Sequence, residues 1–449
     1  MSRLFGTDGI RGIANKELTP ELAFKLGKVG TYLLSKNETN PLILIGKDTR
    51  LSGDLLENAI SAGIMSMGGN VVKAGVIPTP AIAHLVDHMN ANAGIVISAS
   101  HNTFEFNGIK IFNDKGFKLD DDLEDEIENI IVRDMDLNGH ILGAKLGRCF
   151  FAEDEASRLY SEFLKSSVPI DLTGMKIVID CANGASYSIA ERVLKDLGAD
   201  LIVMNNKPDG VNINDDCGST HPGHLQQKVL DENADIGLAF DGDADRLISI
   251  DEKGRIVDGD KMIFICAKML KNLGCLAENK VTATVMSNIG FHKAIEGIGA
   301  TVDVTQVGDR YVLESMLKTG CILGGEQSGH IIFLEHSTTG DGILSALQLL
   351  KSLKQSGKKL SELADEVIIY PQVLKNAPVK NENKKKYISD PKIAAEIERI
   401  EGLMKDNGRV LIRPSGTEPL IRVMIEGKDL TEITEMAEDL ANLITERMA

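Results

Sequence analysis

Short apolar runs alternate with longer amphipathic segments through most of the chain. The apolar runs each end in glycine or polar residues, and they are Leu42–Ile45, Gly94–Ile97, Lys176–Ile179, Ile236–Phe240, Val281–Val285 and Cys321–Leu323. Between them, apolar residues recur with helical spacing, as in Pro20–Lys36 and Leu55–Met67. Strands separated by helices of this length predict parallel βαβ units, and therefore an α/β fold.

Three helix starts can be placed from capping residues and composition. Thr19 precedes Pro20, which suits the first helical position, and Ser52 is a candidate cap before the second helix. A third amphipathic helix, Glu153–Lys165, follows a charged stretch that contains glycine.

The chain of 449 residues is too long for one core, and its length predicts two to four domains. Breaks at 133–147, 251–254 and 363–372 divide it into four segments, 1–152, 153–252, 253–368 and 369–449. In the last segment, two strands enclose a Pro-Ser-Gly-Thr turn and a helix follows, which predicts an α+β cap domain.

The formal net charge of −17 argues against a nucleic-acid surface, which needs a basic field. Solubility accounts for the charge, but any phosphate site must then be locally basic. The six cysteines contain no C-x-x-C pair, so we expect reduced thiols and neither disulfides nor zinc. No apolar signal region or membrane-length apolar run is present, which favours a cytoplasmic protein with no membrane partner.

An acidic loop follows the fourth apolar run and carries Asp241, Asp243 and Asp245. In an extended chain these alternate residues share one face, where their carboxylates repel by about a few kcal/mol per pair. A bound cation removes that repulsion, and all-oxygen ligands favour Mg²⁺ or Ca²⁺ over zinc. Arg246, beside the carboxylates, suits a phosphate oxygen on the metal.

The same loop has two alternative interpretations. An EF-hand requires glycine where Arg246 stands, and it requires helices where the flanking segments Leu238–Phe240 and Leu247–Ile250 look like strands. A solvated acidic turn is the other alternative. A catalytic metal loop is the interpretation we favour.

Ser100 follows the buried run that ends at Ile97, so it lies at the edge where α/β sheets bind ligands. A hydroxyl nucleophile together with a metal loop suggests phosphoryl transfer through a phosphoserine. On local evidence alone, a serine after a strand is usually a helix cap, and His101 could equally be a structural histidine.

Three further loops carry candidate binding groups. In Gly324–His330, Glu326 and Ser328 could hydrogen-bond sugar hydroxyls or an amine, and His330 could transfer a proton, although a polar turn would look similar. In the first loop of the chain, Arg11 could help to hold a phosphate.

The third loop, Arg413–Pro419, is followed by Arg422. Guanidinium groups, hydroxyls and a glycine N–H form a phosphate clamp in such a turn, although an isolated turn of this type could be purely structural.

Together these loops resemble the α-D-phosphohexomutase superfamily, and within it the bacterial phosphoglucosamine mutases, over nearly the whole chain. The motifs that carry the resemblance are FGTDGIRG (Phe5–Gly12), GKDTR (Gly46–Arg50), SASHN (Ser98–Asn102), NGIK (Asn107–Lys110), DCANGA (Asp180–Ala185), CGSTHP (Cys217–Pro222), DGDADR (Asp241–Arg246), VGDRYV (Val307–Val312), GGEQSGH (Gly324–His330) and RPSGTEP (Arg413–Pro419). Gln327 marks the amino-sugar subfamily, because glucose and mannose mutases usually carry Met there.

The resemblance implies four domains around a central cleft, three of them with mixed or parallel βαβ sheets. It implies a magnesium-dependent isomerase that interconverts glucosamine 6-phosphate and glucosamine 1-phosphate for UDP-N-acetylglucosamine synthesis. A glucosamine 1,6-bisphosphate intermediate, which also serves as activator, and a homodimer are implied as well.

The resemblance also implies roles for individual residues. Ser100 is the phosphoserine, and with the three aspartates it holds one Mg²⁺ per chain. The catalytic group further comprises His101, Lys110, Arg246 and His330. The implied substrate-binding residues are Arg11, Glu326, Ser328, Arg413, Ser415, Gly416, Thr417 and Arg422.

One departure is Thr103, which stands where the family usually has a proline that stiffens the loop after Ile97, here called the serine loop (98–106). Three alternatives for the function stay open at this point. They are a phosphoglucomutase or phosphomannomutase of the same superfamily, a metal-dependent phosphatase, and a non-catalytic sugar-phosphate binder.

Overall fold

The structure is a computed structural model that describes residues 4–6, 8–35, 38–135, 137, 141–415 and 418–448. Its internal contacts define two compact units. One comprises Met1–Met286 with Gly299–Asp365, and the other comprises Ser287–Ile298 with Glu366–Ala449. Among these described residues, the first unit contains three sheets and the second contains one.

The first sheet has the strand order β1-β5-β4-β2-β3-β6. Its strands are β1 (Ile10–Ile13), β2 (Leu42–Lys47), β3 (Asn70–Val76), β4 (Ala93–Ile97), β5 (Phe106–Asn113) and β6 (Cys149–Phe151). Its helices are α1 (Pro20–Leu34), α2 (Ser52–Ser66), α3 (Thr79–His88) and α4 (Asp121–Val132). Strand β5 runs antiparallel to both β1 and β4, whereas β2, β3, β4 and β6 are parallel. All five residues of β4 are buried, as expected for a strand covered on both faces.

The second sheet has the order β11-β10-β9-β7-β8. Its strands are β7 (Lys176–Asp180), β8 (Asp200–Met204), β9 (Ile236–Phe240), β10 (Leu247–Asp251) and β11 (Ile256–Val257). The helices in this segment are α5 (Glu153–Ser167), α6 (Ile189–Asp196) and α7 (Gly223–Glu232). Strands β9 and β10 are antiparallel neighbours, so the acidic loop 241–246 connects the two strands of a hairpin at the edge of the parallel part of the sheet.

The third sheet has the order β13-β12-β14-β15. Its strands are β12 (Lys280–Thr284), β13 (Thr301–Thr305), β14 (Leu323–Gly325) and β15 (Ile331–Phe333). The helices here are α8 (Gly259–Asn272), α10 (Asp309–Thr319), α11 (Gly342–Ser356) and α12 (Leu360–Ala364). Helix α11 is buried on nearly all sides over its first nine residues, which its apolar sequence permits.

The second unit is an α+β domain with the antiparallel sheet β16-β18-β17. Its elements are α9 (Ile289–Gly297), β16 (Gln372–Pro378), α13 (Pro391–Met404), β17 (Gly408–Pro414), β18 (Leu420–Gly427) and α14 (Leu430–Met448). Fully buried Glu426 ties α9 to this sheet, because it accepts hydrogen bonds from the Ile289 N–H at 3.0 Å and from Arg409 Nε at 2.7 Å.

The predicted α/β class, the mixed sheets and the α+β C-terminal segment are confirmed. Thr19 caps α1 as expected, since its Oγ1 accepts from the Leu22 N–H at 3.3 Å. The prediction for Ser52 is wrong, because Leu51 is the N-cap and Ser52 is already helical. The hydroxyl of Ser52 instead accepts a hydrogen bond from Asn107 Nδ2.

The third-sheet strand predicted at 321–323 begins at Leu323, two residues later than expected. Among the described residues, every helix is too short or too polar to cross a bilayer.

Candidate active site

Ser100 lies in the loop that joins β4 to β5, and it is completely buried. Its φ of 52° places it in the left-handed region, which is unusual for a residue other than glycine. The Ser98 hydroxyl accepts a hydrogen bond from the Ser100 N–H at 2.9 Å. The serine therefore occupies a specialised backbone conformation and does not cap a helix.

The acidic loop forms a turn and is not extended, which corrects the geometry expected from the sequence. Ala244 has a φ of 57°, and this left-handed residue folds the loop so that oxygens of Asp241, Asp243 and Asp245 lie within 4.8 Å of one another. The N–H of Gly342, at the start of α11, donates to the Ala244 carbonyl at 2.9 Å and holds the turn.

Gly242 allows this loop to approach the serine loop. A Cβ atom at position 242 would lie 2.5 Å from the Ser100 carbonyl oxygen, so the residue must be glycine. The Ser100 hydroxyl donates to Asp241 Oδ2 at 2.6 Å. The structure thus brings together the predicted nucleophile and the predicted metal ligands.

The three carboxylates have different electrostatic surroundings. Burial, and the charges of Asp245 and Asp243, hold the pKa of Asp241 well above its ordinary value. Burial also acts to raise the pKa of Asp245, but Lys110 and His330 outweigh it and hold that pKa low. One oxygen each of Asp243 and Asp245 is buried with no hydrogen-bond partner among the described residues.

These oxygens suit a hard divalent cation. Three converging carboxylates and a nearby hydroxyl form the all-oxygen donor set that Mg²⁺ prefers. The unpartnered oxygens of Asp243 and Asp245 are the acceptors that such an ion would satisfy.

Lys110 is buried beside the carboxylates, with Nζ at 2.9 Å from Asp243 and 3.0 Å from Asp8. Burial alone would lower its pKa, but the charges of Asp243, Asp8 and Asp245 raise it well above the ordinary value. The side chain is therefore an ammonium in this arrangement.

His330 faces the same cluster, with Nδ1 at 3.7 Å from Asp245 and Nε2 at 3.7 Å from Asp309. Burial opposes its charged form, but Asp245 raises its pKa above the ordinary value. The Gly340 N–H donates to Nε2 at 3.0 Å, which places the proton of the neutral ring on Nδ1.

His101 lies beside the serine, with Nδ1 at 3.4 Å from the Ser100 hydroxyl. Burial and the nearby charges of Arg246 and Arg11 lower its pKa to about 4, so the ring is neutral at physiological pH.

A cavity of about 520 Å³ opens onto this cluster. Arg11, His101, Arg246, Glu326 and His330 line it, and Arg11 and Arg246 supply positive charge. Ser328 is exposed and is not among the lining residues, unlike the other predicted members of its loop.

Several residues that shape the site have no role that the sequence motifs predict. Asp8 lies between Lys110 and Lys118, and Lys118 in turn pairs with Asp309. Thr79, at the start of α3, donates its hydroxyl to Asp243 Oδ2 at 2.6 Å. These contacts join residues far apart in the chain, and the GTDG and VGDR motifs were the only signals that could have found Asp8 and Asp309.

The predicted phosphate clamp lies in the second unit. Arg413 and Arg422 are directly paired across β17 and β18, and burial together with the charge of Arg422 lowers the pKa of Arg413. The Ser415 hydroxyl accepts from the Glu418 N–H at 3.1 Å. The predicted clamp residues Gly416 and Thr417 lie outside the described residues.

Comparison with known proteins assigns this architecture to a class. Four consecutive domain families of phosphoglucomutase/phosphomannomutase match the chain: alpha/beta/alpha domain I at 2–137, domain II at 158–254, domain III at 258–370 and the C-terminal domain at 374–443. The chain is therefore a phosphohexomutase, an enzyme that isomerises its substrate by phosphoryl transfer.

Full-length relatives narrow the class. The phosphoglucosamine mutase of Alkaliphilus metalliredigens is 54% identical over 448 residues, and that of Thermoanaerobacter sp. is 56% identical over 449. The corresponding protein of Clostridioides difficile is 53% identical over 449 residues. In all three comparisons the alignment covers 100% of both chains. The chain therefore belongs to the phosphoglucosamine mutase family.

Solved structures agree on the fold. A phosphoglucomutase/phosphomannomutase family protein from Burkholderia thailandensis has a TM-score of 0.83 at 23% identity, covering 99% of this chain and 98% of that one. The N-acetylphosphoglucosamine mutase of Aspergillus fumigatus, determined in complex with GlcNAc-6P and magnesium, has a TM-score of 0.70 at 18% identity. That match covers 99% of this chain and 96% of the fungal one.

Proposed function

We propose that the enzyme interconverts glucosamine 6-phosphate and glucosamine 1-phosphate by way of a phosphoserine at Ser100. The observation that carries the proposal is the contact of 2.6 Å between the Ser100 hydroxyl and Asp241, within a buried triad of aspartates. A hydroxyl held against metal-ligating carboxylates is equipped to store a phosphoryl group.

In the first half-reaction, the bond between Ser100 Oγ and phosphorus breaks while a bond forms between phosphorus and the sugar O1. The O1 proton passes to a protein base, and the product is glucosamine 1,6-bisphosphate. The intermediate turns over within the site. In the second half-reaction, the bond between phosphorus and O6 breaks while a bond forms between phosphorus and Ser100 Oγ. The Ser100 hydroxyl gives up its proton, O6 takes up a proton from the protein, and glucosamine 1-phosphate is released. Each half-reaction transfers one phosphoryl group, so the enzyme ends with Ser100 phosphorylated as it began.

Asp241, Asp243 and Asp245, together with a phosphoserine oxygen, would hold one Mg²⁺. When bound, the ion supplies charge neutralisation at the transferring phosphoryl group. Arg246, whose pKa is raised because the charges of Asp245 and Asp241 outweigh the effect of burial, remains a cation that can steady the same oxygens.

Proton transfer is assigned to two groups. Lys110 is an ammonium surrounded by carboxylates and can donate a proton, while His330 carries its proton on Nδ1 when neutral. His101 is neutral and close enough to orient the serine hydroxyl. Positioning and charge neutralisation supply most of the catalysis in phosphoryl transfer, so these groups need only small proton shifts.

Different loops would bind the sugar and the phosphate groups of the substrate. Glu326 and Ser328 would bind sugar hydroxyls or the amine, and Arg11 would contribute to phosphate binding at the cavity wall. Arg413, Ser415, Gly416, Thr417 and Arg422 would grip the phosphate that is not reacting. The pairing of Arg413 with Arg422 across β17 and β18 supports this role, because a bound anion would offset the two like charges, of which Arg422 already pairs with Glu418 at 3.1 Å.

Three further features complete the proposal. The loops belong to four domains with the bounds 1–152, 153–252, 253–368 and 369–449, and the match of four successive domain families supports this division. The enzyme acts in the cytoplasm, where the product enters UDP-N-acetylglucosamine synthesis. It functions as a homodimer, and sedimentation of the purified chain at micromolar concentration tests this assignment.

The decisive test of function is ³¹P NMR of the purified enzyme with Mg²⁺, a trace of hexose 1,6-bisphosphate and glucosamine 6-phosphate. We expect glucosamine 1-phosphate to appear without free phosphate, and we expect kcat/KM to exceed that for glucose or mannose phosphates. Faster turnover of a neutral hexose would favour a phosphoglucomutase or phosphomannomutase. Release of phosphate without isomer would indicate a phosphatase.

A further inference from the structure

Arg50 follows β2 in the GKDTR segment, and its side chain is fully buried. The guanidinium group donates to four backbone carbonyls of the serine loop. Its hydrogen bonds to Ser100 and Asn102 are both 2.9 Å long, that to Phe106 is 3.1 Å long, and Thr103 accepts a further one. One side chain therefore holds most of the backbone around the nucleophile.

The guanidinium group is itself fixed in place. Arg50 Nε donates to Asp48 Oδ2 at 2.8 Å, and the Ser98 hydroxyl donates to the same carboxylate oxygen at 2.6 Å. Ser98 in turn accepts from the Ser100 N–H. Arg50, Asp48, Ser98 and Ser100 thus form a closed ring of hydrogen bonds in which each member sets the position of the next.

A second side chain reaches the same carbonyls from the segment that precedes the metal loop. Asn214 Nδ2 donates to the Ser100 carbonyl at 2.8 Å and to the Asn102 carbonyl at 2.9 Å. Each of these two carbonyls therefore accepts hydrogen bonds from both Arg50 and Asn214. Because Asn214 lies between β8 and β9, it couples the serine loop to the sheet that carries the aspartates.

The backbone of Ser100 needs such support. Its φ of 52° is disfavoured for a serine, and residues held in this region persist only when their surroundings fix them. The serine loop also lacks the proline that would restrict the backbone at position 103.

We propose that Arg50 and Asn214 are positioning residues that hold the backbone of Ser100 so that its hydroxyl, and its phosphoryl group, face the aspartate triad. The proposal rests on the proposed function. Neither residue touches the reacting atoms. Their contribution is to keep the phosphoryl carrier aligned and to limit the approach of water to the phosphoserine.

The chemistry of arginine explains why this residue is needed. Its planar fork presents five N–H groups in fixed directions, whereas a lysine ammonium can reach only part of the same set. Misplacing a reacting atom by about 1 Å can lower a rate roughly 10²-fold. We therefore expect Arg50→Lys to retain the positive charge but to lose the alignment of Ser100 with the aspartate triad.

The test compares Arg50→Lys and Asn214→Asp with two matched controls. Arg255→Lys alters another arginine that pairs with a buried aspartate, at 2.7 Å from Asp251. Asn233→Asp alters another asparagine with positive φ, 50°. Aspartate tolerates that backbone conformation and removes the amide donors. For each protein, kcat, KM for glucosamine 6-phosphate, Tm and the hydrolytic half-life of the phosphoserine by intact mass are measured.

We expect Arg50→Lys and Asn214→Asp both to lower kcat, by roughly 10²-fold for Arg50→Lys, with KM changed less than about threefold. The phosphoserine half-life should shorten in both, and neither control should change it. Guanidinium ion added to Arg50→Ala should restore part of kcat without raising Tm, because it can replace the lost hydrogen bonds to the loop carbonyls. If Arg50→Lys fails to fold, Asn214→Asp decides the question.

If Arg50→Lys and Asn214→Asp both fold and keep the wild-type kcat and phosphoserine half-life, the positioning proposal is overturned and the proposed function is left intact. A wild-type enzyme that neither isomerises glucosamine 6-phosphate nor accepts a phosphoryl group on Ser100 would instead contradict the proposed function.

Discussion

The serine–aspartate cluster and the arginine pair of the C-terminal domain are built in opposite ways. Around Ser100 the carboxylates and Lys110 are buried and closely paired, and one oxygen each of Asp243 and Asp245 has no hydrogen-bond partner among the described residues. Across β17 and β18, Arg413 faces Arg422, a like charge, and the Arg422 side chain is 40% exposed.

The difference reflects what each region has to do. Phosphoryl transfer depends on fixed distances, so the first region is organised before substrate arrives. The proposed phosphate clamp would have to bind and release an anion in each turnover, and the second region accordingly places two like charges on neighbouring strands, with only Arg422 paired with a carboxylate, that of Glu418 at 3.1 Å, among the described residues. We therefore expect changes in the first region to lower kcat and changes in the second to raise KM.

The largest effect is expected for Ser100→Ala. The substitution removes the atom that carries the phosphoryl group, so kcat should fall by at least about 10³-fold while the fold persists. Turnover by ³¹P NMR and Tm by calorimetry check both parts. A pure sample with near-wild-type turnover would show that Ser100 is not the carrier.

The second-largest effect is expected for Asp241→Asn, which should change both turnover and stability. The pKa of Asp241 is raised, so its contribution to stability is present below the ordinary aspartate pKa of about 4 and is lost as pH rises. The Tm of the metal-free wild type should therefore fall, relative to that of the variant, as pH rises above this value.

Mg²⁺ should restore the stability that the wild type loses as Asp241 ionises. It should raise the Tm of the wild type more at pH 8 than at pH 5, because ligands must be ionised to bind it. Its effect on the variant should be small. An increase in Tm that does not depend on pH, or that is equal in the two proteins, would argue against a metal held by this carboxylate.

Arg413→Lys is expected to have a smaller effect, of a different kind. A lysine cannot hold a phosphate in bidentate fashion, so KM for glucosamine 6-phosphate should rise roughly tenfold with kcat little changed. Arg399→Lys, which alters an exposed arginine paired with Glu396, serves as the control. A fall in kcat at unchanged KM would contradict the assignment of catalysis to the first region and of phosphate binding to the second.

The smallest effect is expected for Thr103→Pro, which restores the residue usual in the family. Because Arg50 already binds the Thr103 carbonyl, the added stiffness should change stability by less than about 1 kcal/mol and leave turnover unchanged. Denaturant unfolding and steady-state kinetics measure the two quantities. A marked gain in turnover would show that the loop is loose despite Arg50.

The sequence was sufficient for the fold class, for most buried strands and for the family. Strand β9 was predicted with its observed bounds, because a fully buried apolar run between polar loops is a strong local signal. The aspartates and Ser100 could be proposed as partners because both follow such strands.

Other features depend on contacts between distant parts of the chain. The buried arginine at position 50 and the asparagine at 214 acquire their roles only when the loops meet, and no spacing rule predicts that meeting. The sequence pattern predicts an extended acidic loop at 241–246, but the left-handed conformation of Ala244 folds this loop into a turn. Ser52 resembled a helix cap, and its hydroxyl instead binds Asn107.

The most direct test of the central claim is the intact mass of the enzyme after incubation with glucosamine 1,6-bisphosphate and Mg²⁺, followed by peptide mapping. We predict a gain of one phosphoryl group, located on Ser100 and removed again by excess glucosamine 6-phosphate. An unchanged mass, or a phosphoryl group on another residue, would contradict the account.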